Sequence, residues 1–186
     1  LTMCTTSKQI MGWTLGLIQK QQTERPVPSN GFVAAVLQKG GAEGWVQVEL
    51  NGIYNTLPGV AWVQREQPIF TNPREKVDFL IKCQAGPTTC VELKVESLFN
   101  SADEGRATMP HTRWQVVNDD VLKLRDQRSL QYQHDAAYVV AIVWSSEATA
   151  GMNEWLRGAH LTHEREEYPV VHDNERWTVT VYVITI

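Results

Sequence analysis

The sequence predicts an α/β fold, a mixed central β-sheet flanked by helices. Three observations predict it. Apolar residues recur at helical spacing before about residue 57; from Val60 the pattern changes to short β-branched and aromatic runs punctuated by Pro, Asn and Gly; and two later apolar runs of strand length, AAYVVAIVW and WTVTVYVITI, alternate with helical patterns. At 186 residues, 42% hydrophobic and 20% charged, the chain fits one globular domain spanning 1–186 with a sizeable core.

Each element has its own reason. In TTSKQIMGWTLGLIQKQQTE, capping residues precede a stripe of Ile10, Trp13 and Leu17 widened by Met11, Leu15 and Ile18, which predicts a helix over about 6–22. RPVPSNG breaks it, because Pro26 and Pro28 forbid continuation, and Ser29 or Asn30 can cap a second short helix, GFVAAVLQKG, ended by Gly40. AEGWVQVELNGIYNTL is ambiguous. Val46, Leu50, Ile53, Tyr54 and Leu57 stand at helical spacing, yet Val46, Val48 and Leu50 alternate as a strand would; the longer pattern favours a helix, with Glu49 bordering its buried stripe. VAWVQREQPIF, KVDFLIKC and TCVELKVESLF read as three strands, the last two joined by the QAGPT turn. PHTRWQVVNDDVLKLRDQRS returns to helical spacing through Trp114, Val117, Val121 and Leu124, with Pro110 near its start. AAYVVAIVW is continuously apolar and reads as a central strand covered on both faces. SSEATAGMNEWLRG follows as a helix, HEREEYPVVHDNE as an acidic, solvated connection, and WTVTVYVITI as the closing strand.

Charge and composition exclude several classes. A net charge of −4 and a pI near 5.7 give no global basic field, so contact with nucleic acid needs a local patch. No run approaches the eighteen or so apolar residues of a membrane span, and the N-terminus lacks a signal pattern, so a soluble chain with no membrane partner and an intracellular site of action is expected. A chain beginning at Leu1 reads as a processed product or a module with other domains beside it. Cys4, Cys83 and Cys90 are too few for a disulfide scaffold and lack zinc-site spacing.

The chemistry concentrates in KVDFLIKCQAGPTTCVELKVES. Asp78 and Glu92 are carboxylates set among Val, Leu and Phe, and Lys94 follows Glu92 two positions later. Ionised carboxylates in such surroundings are costly unless a cation or donors compensate them. In a strand Glu92 and Lys94 share a face, roughly 7 Å apart. Asp78 joins them if the hairpin register has an even index sum, or if a bulge shifts it. Cys83 and Cys90 sum to an odd number, so such a register offsets the two sulfurs. An Asp and a Glu on adjacent strands form a hard-oxygen site suited to Mg²⁺ or Mn²⁺, and a neighbouring lysine can orient a water or stabilise charge developing on phosphorus. Phosphodiester hydrolysis needs these functions.

Asp78, a hairpin, and then Glu92-Leu93-Lys94 resemble the signature of the PD-(D/E)XK nuclease superfamily. The upstream helix with Glu49, the REQPIFTNPREKVDFLI lead-in, the helix TRWQVVNDDVLKLRD and the strand YVVAIVW are similar to its α-β-β-β-α-β order. The resemblance covers residues 43 to 144, a core to which residues 1–42 add a helical extension. It implies a restriction-endonuclease-like fold, a metal-dependent nuclease acting on DNA or RNA, Asp78 and Glu92 as ligands of Mg²⁺ or Mn²⁺, Lys94 as catalytic lysine, Glu49 as auxiliary acid and Gln115 as supporting glutamine. Val77 stands where many members have Pro.

Other readings remain beside it. The trio could be a structural ion pair on a sheet face; Glu43 or Glu66 could replace Glu49; Gln115 and Arg113 could be ordinary helix-surface residues; and Glu96 continues the parity of Glu92 and Lys94 towards the rim. The alternative function is a nuclease-fold interaction or nucleic-acid-binding module without catalysis. HEREE lacks the second His of a zincin, Glu167 standing in its place. No G-x-S-x-G elbow or phosphate-cradling Gly-rich loop occurs, and the seven Trp residues fall mostly on apolar stripes.

Overall fold

A computed structural model describes residues 5–23, 27–37, 42–96 and 113–186. Helix α1 (Ser7–Lys20) starts at a capping box in which Thr6 and Gln9 satisfy each other's backbone amides, and it buries Ile10, Met11, Leu17 and Ile18. Strands β1 (Gln22–Thr23) and β2 (Ser29–Asn30) form a small antiparallel pair. The Asn30 side chain accepts from the Phe32 and Val33 amides and so starts α2 (Gly31–Val36). That helix ends before the expected Gly40, which lies outside the described residues.

In α3 (Glu43–Asn55) the helix-or-strand ambiguity is resolved by burial: Val46 and Leu50 are 0% exposed and Val48 is 55% exposed, whereas a strand would put all three on one face. Then come β3 (Val60–Gln67), β4 (Val77–Cys83), β5 (Thr88–Val95), α4 (Arg113–Asp126), a 3₁₀ turn (Leu130–Tyr132), β6 (Ala136–Val143), α5 (Ser146–Ala159), β7 (His163–His172) and β8 (Glu175–Thr185). The six longer strands make one mixed sheet in the order β3-β4-β5-β6-β8-β7, in which β5 and β6 alone run parallel and the chain between them carries α4.

The sheet is covered on both faces. Phe79, Ile81, Val91, Leu93, Val140 and Ile142 pack under α1, α2 and α3 with Phe32, Leu50 and Tyr54. Leu80, Cys90, Val139, Ala141 and Val143 pack under α4 and α5 with Val121, Leu124 and Met152. The central position of β6 explains its uninterrupted apolar sequence. Arg128, buried after α4, donates to the carbonyls of Leu124 (2.6 Å), Tyr132 (2.9 Å) and Asp135 (2.7 Å), which fixes the end of α4 to the start of β6.

One expectation fails. HEREEYPVVH is not a solvated connection but the edge strand β7, paired with β8 along its full length. As an edge strand it buries only Val170 fully, so its sequence shows no apolar alternation, and its charged side chains are those that discourage edge-to-edge pairing. The turn that creates it is Asp173-Asn174, with φ of 50° and 65°, the two left-handed residues of a tight hairpin.

The β4–β5 hairpin pairs Phe79 with Val91, Leu80 with Cys90, Ile81 with Thr89 and Lys82 with Thr88, an index sum of 170 throughout. Cys83 is disulfide-bonded and Cys90 is a buried free thiol, so the hairpin does not join its own two sulfurs. No helix among the described residues is long and apolar enough to cross a membrane. Leu93 is fully buried against the α1–α3 layer; Leu93→Ala is therefore expected to lower the unfolding free energy by about 2–5 kcal/mol, read as a lower urea midpoint at unchanged m-value.

Candidate active site

The β4–β5 ladder stops at Phe79↔Val91, while β5 continues against β6 as far as Val95↔Ile142. Beyond the stop, amides of β5 that a longer ladder would have given to β4 meet carboxylates instead. The Leu93 amide donates to Asp78 Oδ2 at 2.7 Å, and the Val95 amide to Glu43 Oε2 at 3.4 Å. Asp78 is fixed on its other oxygen as well: Gln47 Nε2 donates to Oδ1 at 2.8 Å, and Arg65 on β3 donates to Gln47 Oε1 at 2.8 Å. Thus α3 and β3 both hold the Asp78 carboxylate in place.

Glu92 and Lys94, two apart on β5, share a face, and Asp78, just beyond the last paired position of β4, lies close enough for its charge to act on both. Helix α4 lies over this face. Its inward stripe of Val117, Val121 and Leu124 includes Asp120, and Lys123 reaches in beside it. The result is a chain of alternating charge. Lys94 Nζ lies 3.6 Å from Glu43 Oε1 and 3.4 Å from Asp120 Oδ2; Lys123 Nζ lies 3.4 Å from Asp120 Oδ1 and 2.7 Å from Glu92 Oε1. Asp120 bridges the two lysines.

Four carboxylates face two ammonium groups, and their protonation reflects the imbalance. Burial, then the charges of Asp78 and Asp120, pushes Glu92 up to about 9 against the pull of Lys123. Burial likewise raises Glu43 and Asp120 above the usual carboxylate range. Burial alone would lower Lys94, but Glu43, Asp120, Asp78 and Glu92 outweigh it and hold the lysine above its ordinary value. Lys123 is raised in the same way by Glu92 and Asp120. In the Lys123–Glu92 pair the upward shift of Glu92 is the firmer consequence, since two anionic neighbours and 2% exposure act against one ammonium.

The donor atoms are hard carboxylate oxygens. Glu92 Oε1 and Asp120 Oδ2 are buried, and the groups that meet them are lysine ammoniums, Lys123 at 2.7 Å and Lys94 at 3.4 Å. Such oxygens suit Mg²⁺ or Mn²⁺ once deprotonated, so an ion binding at Glu92 would displace a proton. In the present arrangement the lysines stand between the carboxylates, and among the described residues no group of three or more His, Cys, Asp or Glu is close enough to hold a metal ion.

Of the expected site residues, Asp78, Glu92 and Lys94 come together here. Glu49 sits on α3 about 200° around the axis from Gln47, and the α3 carboxylate that meets Lys94 is Glu43. Glu66 is exposed on β3, and Gln115 is exposed on α4, outside the stripe that carries Asp120. Glu96 is not at a rim. It is 2% exposed and accepts from the Trp144 amide (2.8 Å), the Ser145 amide (3.0 Å) and Ser145 Oγ (2.6 Å), which pins the turn into α5. Gln47, Asp120 and Lys123 were missed by sequence reasoning. The signal for the last two was an Asp and a Lys three apart on the stripe defined by Val117, Val121 and Leu124.

No family model, curated protein or solved structure matches this chain.

A carboxyl whose folded pKa is raised gives stability that is complete below the unfolded value, 4.5 for Glu92, and is lost as pH rises towards about 9. Glu92→Gln is therefore expected to be more stable than the parent in EDTA at pH 8, by on the order of 2 kcal/mol, with the gap narrowing towards pH 5. Denaturant titrations at the two pH values check it; a gap that widens on acidification would refute the assignment.

Proposed function

We propose that this chain is a metal-dependent nuclease that hydrolyses phosphodiester bonds in DNA or RNA. Asp78 and Glu92 are its ligands for Mg²⁺ or Mn²⁺, and Lys94 is its catalytic lysine. One observation carries this reading: where β4 leaves β5, Asp78 accepts from the Leu93 amide, between Glu92 and Lys94, so the two strand carboxylates and the lysine gather at one opening.

When bound, the metal ion would supply an activated water and neutralise charge on the phosphate oxygens. The chain's own residues account for the rest. Gln47 and the Leu93 amide restrict Asp78 to one orientation while each of its oxygens keeps a lone pair. Lys94, held between Glu43 and Asp120 and kept protonated by them, is suited to stabilise negative charge on phosphorus and to orient a water, not to abstract its proton. Glu43, beside Lys94 and raised by burial, takes the auxiliary-acid position expected of Glu49.

A second reading, a nuclease-fold interaction module without turnover, is favoured by one feature: the alternating ion pairs close on one another without any added cation.

Calorimetry with Mn²⁺ and cleavage assays on single-stranded DNA, duplex DNA and RNA separate the two. Lys94→Ala is expected to lower cleavage by about 10²–10³-fold with Mn²⁺ binding retained and the native circular dichroism spectrum kept, though with a lower melting temperature because Glu43 and Asp120 lose their shared ammonium. Metal binding without turnover on any substrate would favour the interaction module, and full activity in Lys94→Ala would remove the lysine assignment. Glu43→Gln is expected to slow cleavage, whereas Glu49→Gln should leave it at the parent rate.

A further inference from the structure

Lys123 lies outside the Asp78, Glu92 and Lys94 constellation in sequence, yet it makes the shortest ion pair in the site. Its Nζ is 2.7 Å from Glu92 Oε1 and 3.4 Å from Asp120 Oδ1, and it lies 4.9 Å from the centroid of the Phe70 ring. A monovalent cation therefore stands against the carboxylate that the proposed reaction gives to a divalent ion. Two cations cannot occupy one such position without strong repulsion.

The two partners differ in freedom. Glu92 lies on an inner strand, paired with β6 at Val139, and is 2% exposed. Lys123 is on a helix surface, its side chain 20% exposed, on a four-carbon stem that can swing towards solvent across the Phe70 ring. When the two compete with an incoming ion, the lysine is the group that moves. Lys94 does not stand in the same place, because its partners are Glu43 and Asp120.

We propose that Lys123 is a built-in counter-ion occupying the cation position beside Glu92, that Mg²⁺ or Mn²⁺ displaces it on binding, and that its charge thereby sets the metal affinity of the site. In the metal-free protein the ammonium lies between Glu92 and Asp120, 2.7 Å and 3.4 Å from their oxygens, and lessens repulsion between them. The same contact lowers apparent affinity by the fraction of time the position is filled. The proposal rests on the reading of Glu92 as a metal ligand.

Mn²⁺ calorimetry on the full chain tests it, with the parent, Lys123→Gln, Lys123→Met and Lys123→Arg compared and their folding checked by thermal melts. Removing the charge is expected to tighten Mn²⁺ binding by about tenfold, the value for a position free about a tenth of the time. Lys123→Met keeps an apolar stem beside Phe70 and carries the same expectation should Lys123→Gln fail to fold. Lys123→Arg, which retains the charge, should bind no tighter than the parent. A second measurement, the rise of melting temperature with Mn²⁺, should follow the same order. Unchanged or weaker binding in folded, charge-free variants would overturn the counter-ion proposal while leaving the Asp78 and Glu92 assignment intact. Absence of Mn²⁺ binding in parent and variants alike would overturn the metal reading, and this proposal with it.

Discussion

The candidate site depends on the early end of the β4–β5 ladder. A backbone amide buried without an acceptor costs on the order of 1–3 kcal/mol, so strands rarely part inside a core unless something replaces the missing bonds. Here the replacements are side chains. Asp78 takes the Leu93 amide and Glu43 the Val95 amide, so the opening between the strands is held by the same kind of group that can bind a cation. Asp78 thus has a structural task independent of any chemistry, and its orientation is set by that task.

Buried charges like those around this opening are a weak source of stability. Buried ion pairs often contribute less than apolar residues of the same size would, because desolvation offsets the attraction. Glu92 illustrates the point: its burial and its anionic neighbours outweigh Lys123. The hydrophobic layers on both faces of the sheet supply the stability that this region does not. Carboxylates and lysines thus meet between α3, β5 and α4, where apolar side chains would pack with less desolvation.

Much of this was legible in the sequence. The alternation of apolar runs gave the order of the helices and the longer strands up to α5, though not the short β1–β2 pair, and the parity of positions 92 and 94 placed Glu92 and Lys94 on one face without knowledge of any contact. The register of the hairpin was a condition that sequence could state but not decide, since it depends on how the QAGPT turn closes. Strand β7 escaped because an edge strand with one buried residue has no periodic signal; only the Asp173-Asn174 turn marked it. Glu43 and Glu49 both lie on α3, and choosing between them needed the rotation of the helix relative to β5, a tertiary quantity. Asp120 and Lys123 were hidden for a different reason. In NDDVLKLRD charges of both signs occur at nearly every turn, so composition reads as a neutral surface while the helical phase sends this pair inward.

The β5 strand ties these features into one constraint. Its even positions 92, 94 and 96 point to one face, and each has a separate role: Glu92 meets Lys123, Lys94 joins Glu43 to Asp120, and Glu96 holds the Trp144 and Ser145 amides at the start of α5. Its odd positions Val91, Leu93 and Val95 are buried in the opposite layer. A one-residue slip of β5 would drive three charged side chains into that apolar layer and turn three apolar ones towards α4, so the pattern fixes the register far more strongly than the short hairpin could. The same alternation that makes β5 an ordinary strand therefore specifies where the charge of the site must be.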